Sequence, residues 1–136
     1  HTFETATQYV KQTIASTNAA IWRIVTVDRK HIGNIRLSQL NVTHRRAQIA
    51  LLIGEQQSHS KGFGSTAIEM LTLYAFERFK LHKLSSGIYE TNRACIKAFE
   101  KAGFHKEARR QEHAWDNDIF VDVVEMARFN SPIKSP

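Results

Sequence analysis

Cysteine and proline are nearly absent from this 136-residue chain, and acid is outnumbered by base. The single Cys95 excludes an internal disulfide, which points to a reducing compartment such as the cytoplasm. Both prolines, Pro132 and Pro136, fall in the tail 131–136, which is expected to fray. No apolar run approaches the roughly 20 residues that cross a bilayer, and the opening residues are too polar for a secretory leader. The seven histidines show no spacing with acids or with Cys95 that would hold a metal ion. No repeat or low-complexity stretch interrupts the chain. The composition is that of one globular domain over residues 1–130, with 42% hydrophobic and 24% charged residues. Nineteen basic against thirteen acidic residues give a formal charge of +6. That balance suits an anionic ligand, and by itself it argues only weakly for nucleic acid.

Hydrophobic spacing sets the order of elements. Phe3, Ala6, Tyr9, Val10, Thr13 and Ile14 recur at helical spacing over residues 3–16. Three strands follow in a meander, over about 20–27, 31–40 and 45–54. The last ends in Ile49-Ala50-Leu51-Leu52-Ile53, apolar on both faces, as expected of a central strand. A helix from Gly64 to about Lys80 carries the stripe Ala67, Ile68, Leu71, Tyr74, Ala75 and Phe79. Leu84 to Tyr89 reads as a strand. Asn92 is placed to cap a short helix through about Ala102, with Gly103 where a left-handed residue ends it. Strands over 104–113 and 119–129 flank a turn at Trp115-Asp116-Asn117-Asp118. The fold class is α/β (α+β), a mixed sheet with helices on its faces.

The segment Ser58-His59-Ser60-Lys61-Gly62-Phe63-Gly64-Ser65 carries the chemistry. Two glycines let the backbone bend tightly, and the helix that follows offers unpaired N–H groups and its dipole to an anion. Lys61 adds a positive charge. Gly62-x-Gly64-x-x-Ala67 also satisfies the dinucleotide fingerprint, with Glu90 as the downstream acid. That rival needs its first glycine directly after a strand, and here the polar residues Glu55 to Lys61 intervene. A P-loop needs its lysine after the glycines, whereas Lys61 precedes them. The plain alternative is a tight turn before a core helix.

The order of elements and two local motifs resemble the GNAT superfamily of acyl-CoA-dependent N-acetyltransferases over about residues 21–129. The family loop Gln/Arg-x-x-Gly-x-Gly/Ala corresponds to His59-Ser60-Lys61-Gly62-Phe63-Gly64. The family's Asn at a strand end, then a helix ending Glu-Lys-x-Gly-Phe, corresponds to Asn92 followed by Arg93 to Phe104. His44-Arg45-Arg46-Ala47, Tyr74-Ala75-Phe76 and Leu81-His82-Lys83-Leu84 look most like the subgroup of ribosomal-protein, spermidine and amino-sugar N-acetyltransferases. The resemblance implies a mostly antiparallel sheet whose central strands splay, with the family's opening strand and first helix missing before His1.

It also implies acetyl-CoA as co-substrate. Leu52, Ile53 and Gly54 would offer main chain to the pantetheine arm, as an added strand. The amides of Ser60, Lys61, Gly62, Phe63, Gly64 and Ser65 would wrap the pyrophosphate, lined by His59. Asn92 would bond the arm near the thioester, Lys97 and Arg93 would meet phosphates, and Phe99 would face the cofactor. The expected reaction is direct attack of a primary amine on the thioester in a ternary complex. The partner is a small-molecule or peptide amine; a homodimer is compatible with it.

Two departures from the family bear on the chemistry. Gln48 stands where many members carry a glutamate base, and Phe99 where many carry a tyrosine acid. Glu55 and Glu90, at the ends of the splayed strands, are the substitutes as base or as ammonium-binding carboxylates. Cys95 has no base partner by spacing and reads as packing rather than as an acyl carrier. His113 and Trp115 sit near the hairpin that often borders the acceptor site. A non-catalytic acyl-CoA-binding module on the same fold is the alternative, and duplex binding by the basic surface comes third.

Overall fold

Three antiparallel strands, β1 (Ala19–Val25), β2 (His31–Asn41) and β3 (Arg46–Ile53), begin the described chain. The computed structural model describes residues 19–25, 31–53 and 62–130; the helix expected over 3–16 and the tail 131–136 lie outside them. Helix α1 (Phe63–Phe79), strand β4 (Lys83–Tyr89), helix α2 (Arg93–Lys101) and the hairpin β5 (His105–Asp116) and β6 (Ile119–Phe129) complete it. The strands form one sheet in the order β1-β2-β3-β4-β6-β5, with β3 and β4 parallel. The crossovers from β3 to β4 and from β4 to β5 carry the two helices, which pack on each other and on one core.

Alternation along each strand decides what the helix-covered face buries. Trp22, Ile35, Leu37, Ile49, Leu84 and Met126 point to the helices and meet Ile68, Leu71, Ala75 and Phe99 in one core. The opposite face of the meander carries Ile21, Arg36, Gln48, Ala50 and Leu52, all exposed. β6 is buried on both faces, by Val124 and Met126 on one and Val123 and Ala127 on the other.

The Glu-Lys-x-Gly-Phe signature proves to be a helix stop. Gly103, at φ 92, takes the left-handed conformation expected of it. Its N–H donates to Glu100 O at 3.0 Å and the Phe104 N–H to Phe99 O at 2.9 Å, the paired bonds of a Schellman ending. The apolar contact that accompanies such endings joins the same two residues, with Phe99 and Phe104 edge to face at 5.0 Å. Arg128 Nη1 donates to Ala102 O at 2.7 Å and pairs with Glu69, tying β6 to both helices.

The hairpin corrects the expected turn. Trp115 and Asp116 are not in it: they pair with Phe120 and Ile119 as the last rungs of the ladder. Only Asn117 and Asp118 turn, both at positive φ (50° and 63°), as a two-residue turn matched to strand twist requires. Farther back, the register slips between Arg110 and Ala114, so Gln111, Glu112 and His113 loop out opposite Asp122.

Candidate active site

The cleft begins where a ladder stops. β3 and β4 are paired only at Arg46–Lys83, Ala47–Leu84 and Gln48–Ser85. β3 then runs on to Ile53 and β4 to Tyr89 with no pairing between them, so the strands diverge as the resemblance implies. Main-chain groups that a neighbouring strand would satisfy face the gap, the condition for a ligand to add itself as a strand. Leu52, 69% exposed, and Ile53 lie on its β3 side.

The start of α1 is the second component. Gly62 is its N-cap at φ 77, a conformation costly to any residue with a Cβ. Among the described residues no side chain caps the helix, and no acid sits in its first turn. The ladder starts with Thr66 N–H donating to Gly62 O at 3.0 Å, so the amides of Phe63, Gly64 and Ser65 precede the first helical bond. Ser65 Oγ donates to Gly62 O at 3.0 Å instead of capping an amide. Glu55 and the loop residues Gly54, His59, Ser60 and Lys61 lie outside the described residues.

Charge near Gly62 comes from a residue the sequence reading passed over. Lys101 Nζ lies 3.6 Å from where a Cβ on Gly62 would stand. With Ser65, Thr66, Gly103 and Arg128 it lines a cavity of about 490 Å³ beside the first turn of α1. Lys97 and Arg93 instead line a separate cleft of about 470 Å³ between α2 and β5. The signal for Lys101 was in the signature itself, as the lysine of Glu-Lys-x-Gly-Phe.

Asn92 sits at the end of β4 beside the gap and caps α2: its Oδ1 accepts from Cys95 N–H at 3.2 Å. Its side-chain N–H groups are the part left to meet a ligand. Phe99 does not face the gap; it is fully buried in the core behind it. Cys95 is a packing residue, with burial pushing its thiol up to about 11, far from the range of a nucleophile.

Glu90 lies on the helix-covered face, in the cleft with Arg93 and Lys97, and is ion-paired to Arg109. Arg109 Nε in turn donates to Asp122 Oδ2 at 2.7 Å, and Glu112 N–H donates to Asp122 Oδ1 at 2.8 Å. Asp122 thus clamps the looped-out segment of β5, and these bonds hold its carboxyl below the usual carboxylate range. Its folded pKa is depressed, so its contribution to stability is present above about pH 4 and fades as pH falls through the folded value. Asp122→Asn removes that contribution. The stability gap between wild type and variant, read from urea midpoints, should therefore narrow between pH 5 and pH 3; a constant gap counts against the clamp. At the tip, Trp115 and Phe120 pack edge to face at 4.8 Å while each stays more than half exposed.

A meander, a crossover helix and a parallel pair that splits are the features the family resemblance implies. Residues 1–105 match the acetyltransferase (GNAT) domain model, and the chain belongs to that family. It is 30% identical over 106 residues to the probable N-acetyltransferase YjcK of Bacillus subtilis, covering 76% of this chain and 57% of that protein. It is 30% identical over 95 residues to the spermidine N(1)-acetyltransferase of Vibrio cholerae, covering 70% and 54%. The chain thus spans little more than half the length of these relatives. Among solved structures, a mutant of the spermidine N-acetyltransferase SpeG from Vibrio cholerae shares the fold with a TM-score of 0.76 at 24% identity, over 90% of this chain and 72% of that one.

Proposed function

We propose that this protein is an acetyl-CoA-dependent N-acetyltransferase acting on a primary amine by direct attack in a ternary complex. The observation that carries the reading is the break in the β3–β4 ladder after Gln48–Ser85, opening toward an uncapped helix start. The open amides of Phe63, Gly64 and Ser65, with Lys101 beside them, suit the diphosphate of CoA. The unpaired edges of β3 and β4 suit its pantetheine arm, and Asn92 stands beside that path. Acetyl-CoA is a substrate here and supplies the activated acetyl group. Holding amine and thioester together contributes much of the acceleration in such reactions. Relatives named for spermidine support a polyamine acceptor.

Acetyl-CoA should raise the melting temperature, since a ligand that binds only the folded state stabilises it. A hundredfold excess over its dissociation constant contributes about 2.7 kcal/mol, or roughly 10 °C for a chain of this size. No shift at millimolar acetyl-CoA would refute the reading. A second reading, a non-catalytic acyl-CoA-binding module, is favoured by Gln48 and Phe99, neither of which can move a proton. Thiol release from acetyl-CoA over a panel of amines separates the two.

A further inference from the structure

Of the two carboxylates expected from the sequence, Glu55 lies outside the described residues and Glu90 is turned away from the face an amine can reach. The helix-covered side of the cleft is filled by core, with Ile49, Leu84 and Ile88 buried there. An acceptor therefore approaches the apex from the opposite face, which no described residue covers. Glu90 lies on the helix side and is held by Arg109.

The register of the strands brings a different acid to the open face. Ser85 pairs with Gln48 on one side and Ala127 on the other, and this row closes the apex. Two residues on, Gly87 pairs with Glu125, while on β3 the corresponding Ala50 has no partner across the gap. The first open row therefore presents two positions without bulk, Ala50 and Gly87, and then a carboxylate. Glu125 does not stand away from the cleft: its Oε1 lies 3.2 Å from where a Cβ on Gly87 would be. Gly87 has no left-handed backbone to accommodate. The space its missing side chain leaves is shared by that carboxylate and by Val123 Cγ1, 3.3 Å from the same point, beside the gap.

Resting on the acetyltransferase reading above, we infer that Glu125 is the carboxylate that receives the acceptor's ammonium group and takes its proton. The bonds balance without a further reagent. The ammonium gives one proton to Glu125, and the freed lone pair forms the N–C bond to the thioester carbonyl carbon. The C–S bond breaks with its electrons on sulfur, the nitrogen's second proton goes to that thiolate, and Glu125 returns its proton to water. The products are the acetamide, CoA thiol and one proton. Around Glu125, the charged and titratable groups among the described residues are Arg110 on β5, whose Nε is 3.4 Å away, Tyr89 on β4, Arg36 on β2 beyond Ala50, His105 on β5 opposite Ala127, and the Lys83–Glu107 pair farther down. Arg110 is 57% exposed and at the long limit of a hydrogen bond, which leaves the carboxylate able to take another cation.

The test uses whichever amine among spermidine, a diamine, an amino sugar and a peptide N-terminus gives thiol release with the wild-type protein. Glu125→Gln keeps size and should lower kcat/KM by about a hundredfold or more, the usual loss of a general base. It should also remove an ionisation from the acid side of the pH–rate profile, while the thermal shift with acetyl-CoA stays as in wild type. Arg110→Gln, which deletes the ion pair but not the carboxylate, should keep turnover within about threefold. Turnover of Glu125→Gln within threefold of wild type, with its pH profile intact, overturns the assignment and leaves the acetyltransferase standing. Equal losses in both variants with lowered melting temperatures overturn it in favour of strand packing. Wild-type protein that binds acetyl-CoA and releases no thiol with any amine overturns the enzyme reading, and the assignment with it.

Discussion

Phe99→Ala should destabilise the protein by about 3–5 kcal/mol, a large part of the roughly 5–15 kcal/mol that holds a domain folded. The ring is fully buried and packs edge to face on Phe104. It also provides the apolar half of the Schellman ending, so its loss opens a cavity and loosens the helix stop together. Urea unfolding measures the change. Phe99→Tyr separates this structural role from a catalytic one. A hydroxyl at the ring's edge would be buried among apolar groups, and an unpaired one costs about 1–3 kcal/mol. The variant should thus lose stability and gain no turnover. A rate gain from Phe99→Tyr would mean that the ring does reach the thioester, as the family resemblance implies for this position.

That contrast shows what could and could not be read from residues in order. Element types followed from periodicity: the stripe from Ala67 to Ala75 buries, Asn92 caps, and Gly103 turns left-handed. Trp115-Asp116-Asn117-Asp118 looked like one turn because three polar turn-formers stand together. The strand twist needs only two residues at positive φ, so the ladder runs on through Asp116. The three residues looped out before it carry no local signal, because what holds them is the carboxylate of Asp122 on the other strand. Glu125 was hidden for the same reason. Alternation in Val123-Val124-Glu125-Met126 marks its face, but only the register shows that a glycine lies opposite and that the neighbouring ladder has ended. Lys101 and Lys97 are one helical turn apart and alike in sequence, and packing alone puts the first beside Gly62 and the second against β5.

The diphosphate site can be tested with a change whose effects on the free and bound protein differ. Ser65 is the third residue of α1, among the amides with no helical partner. Ser65→Asp places a carboxylate at the positive end of the helix dipole, worth about 0.3–1 kcal/mol in the free protein. Against that stand the lost bond from Ser65 Oγ to Gly62 O, about 0.5–1.5 kcal/mol, and the desolvation of a carboxylate at a buried position, so the free protein should lose roughly 1–3 kcal/mol. A bound diphosphate meets the same carboxylate as a like charge. At 4 Å and an effective dielectric of about 20, that repulsion is on the order of 4 kcal/mol before salt screens part of it. Acetyl-CoA should bind at least about a hundredfold more weakly, and its thermal shift should vanish at concentrations that shift the wild type. Ser65→Asn, similar in size and uncharged, should lose far less. If the aspartate variant kept the full shift, the phosphates would have to lie away from the start of α1, and the helix dipole would have no part in holding them.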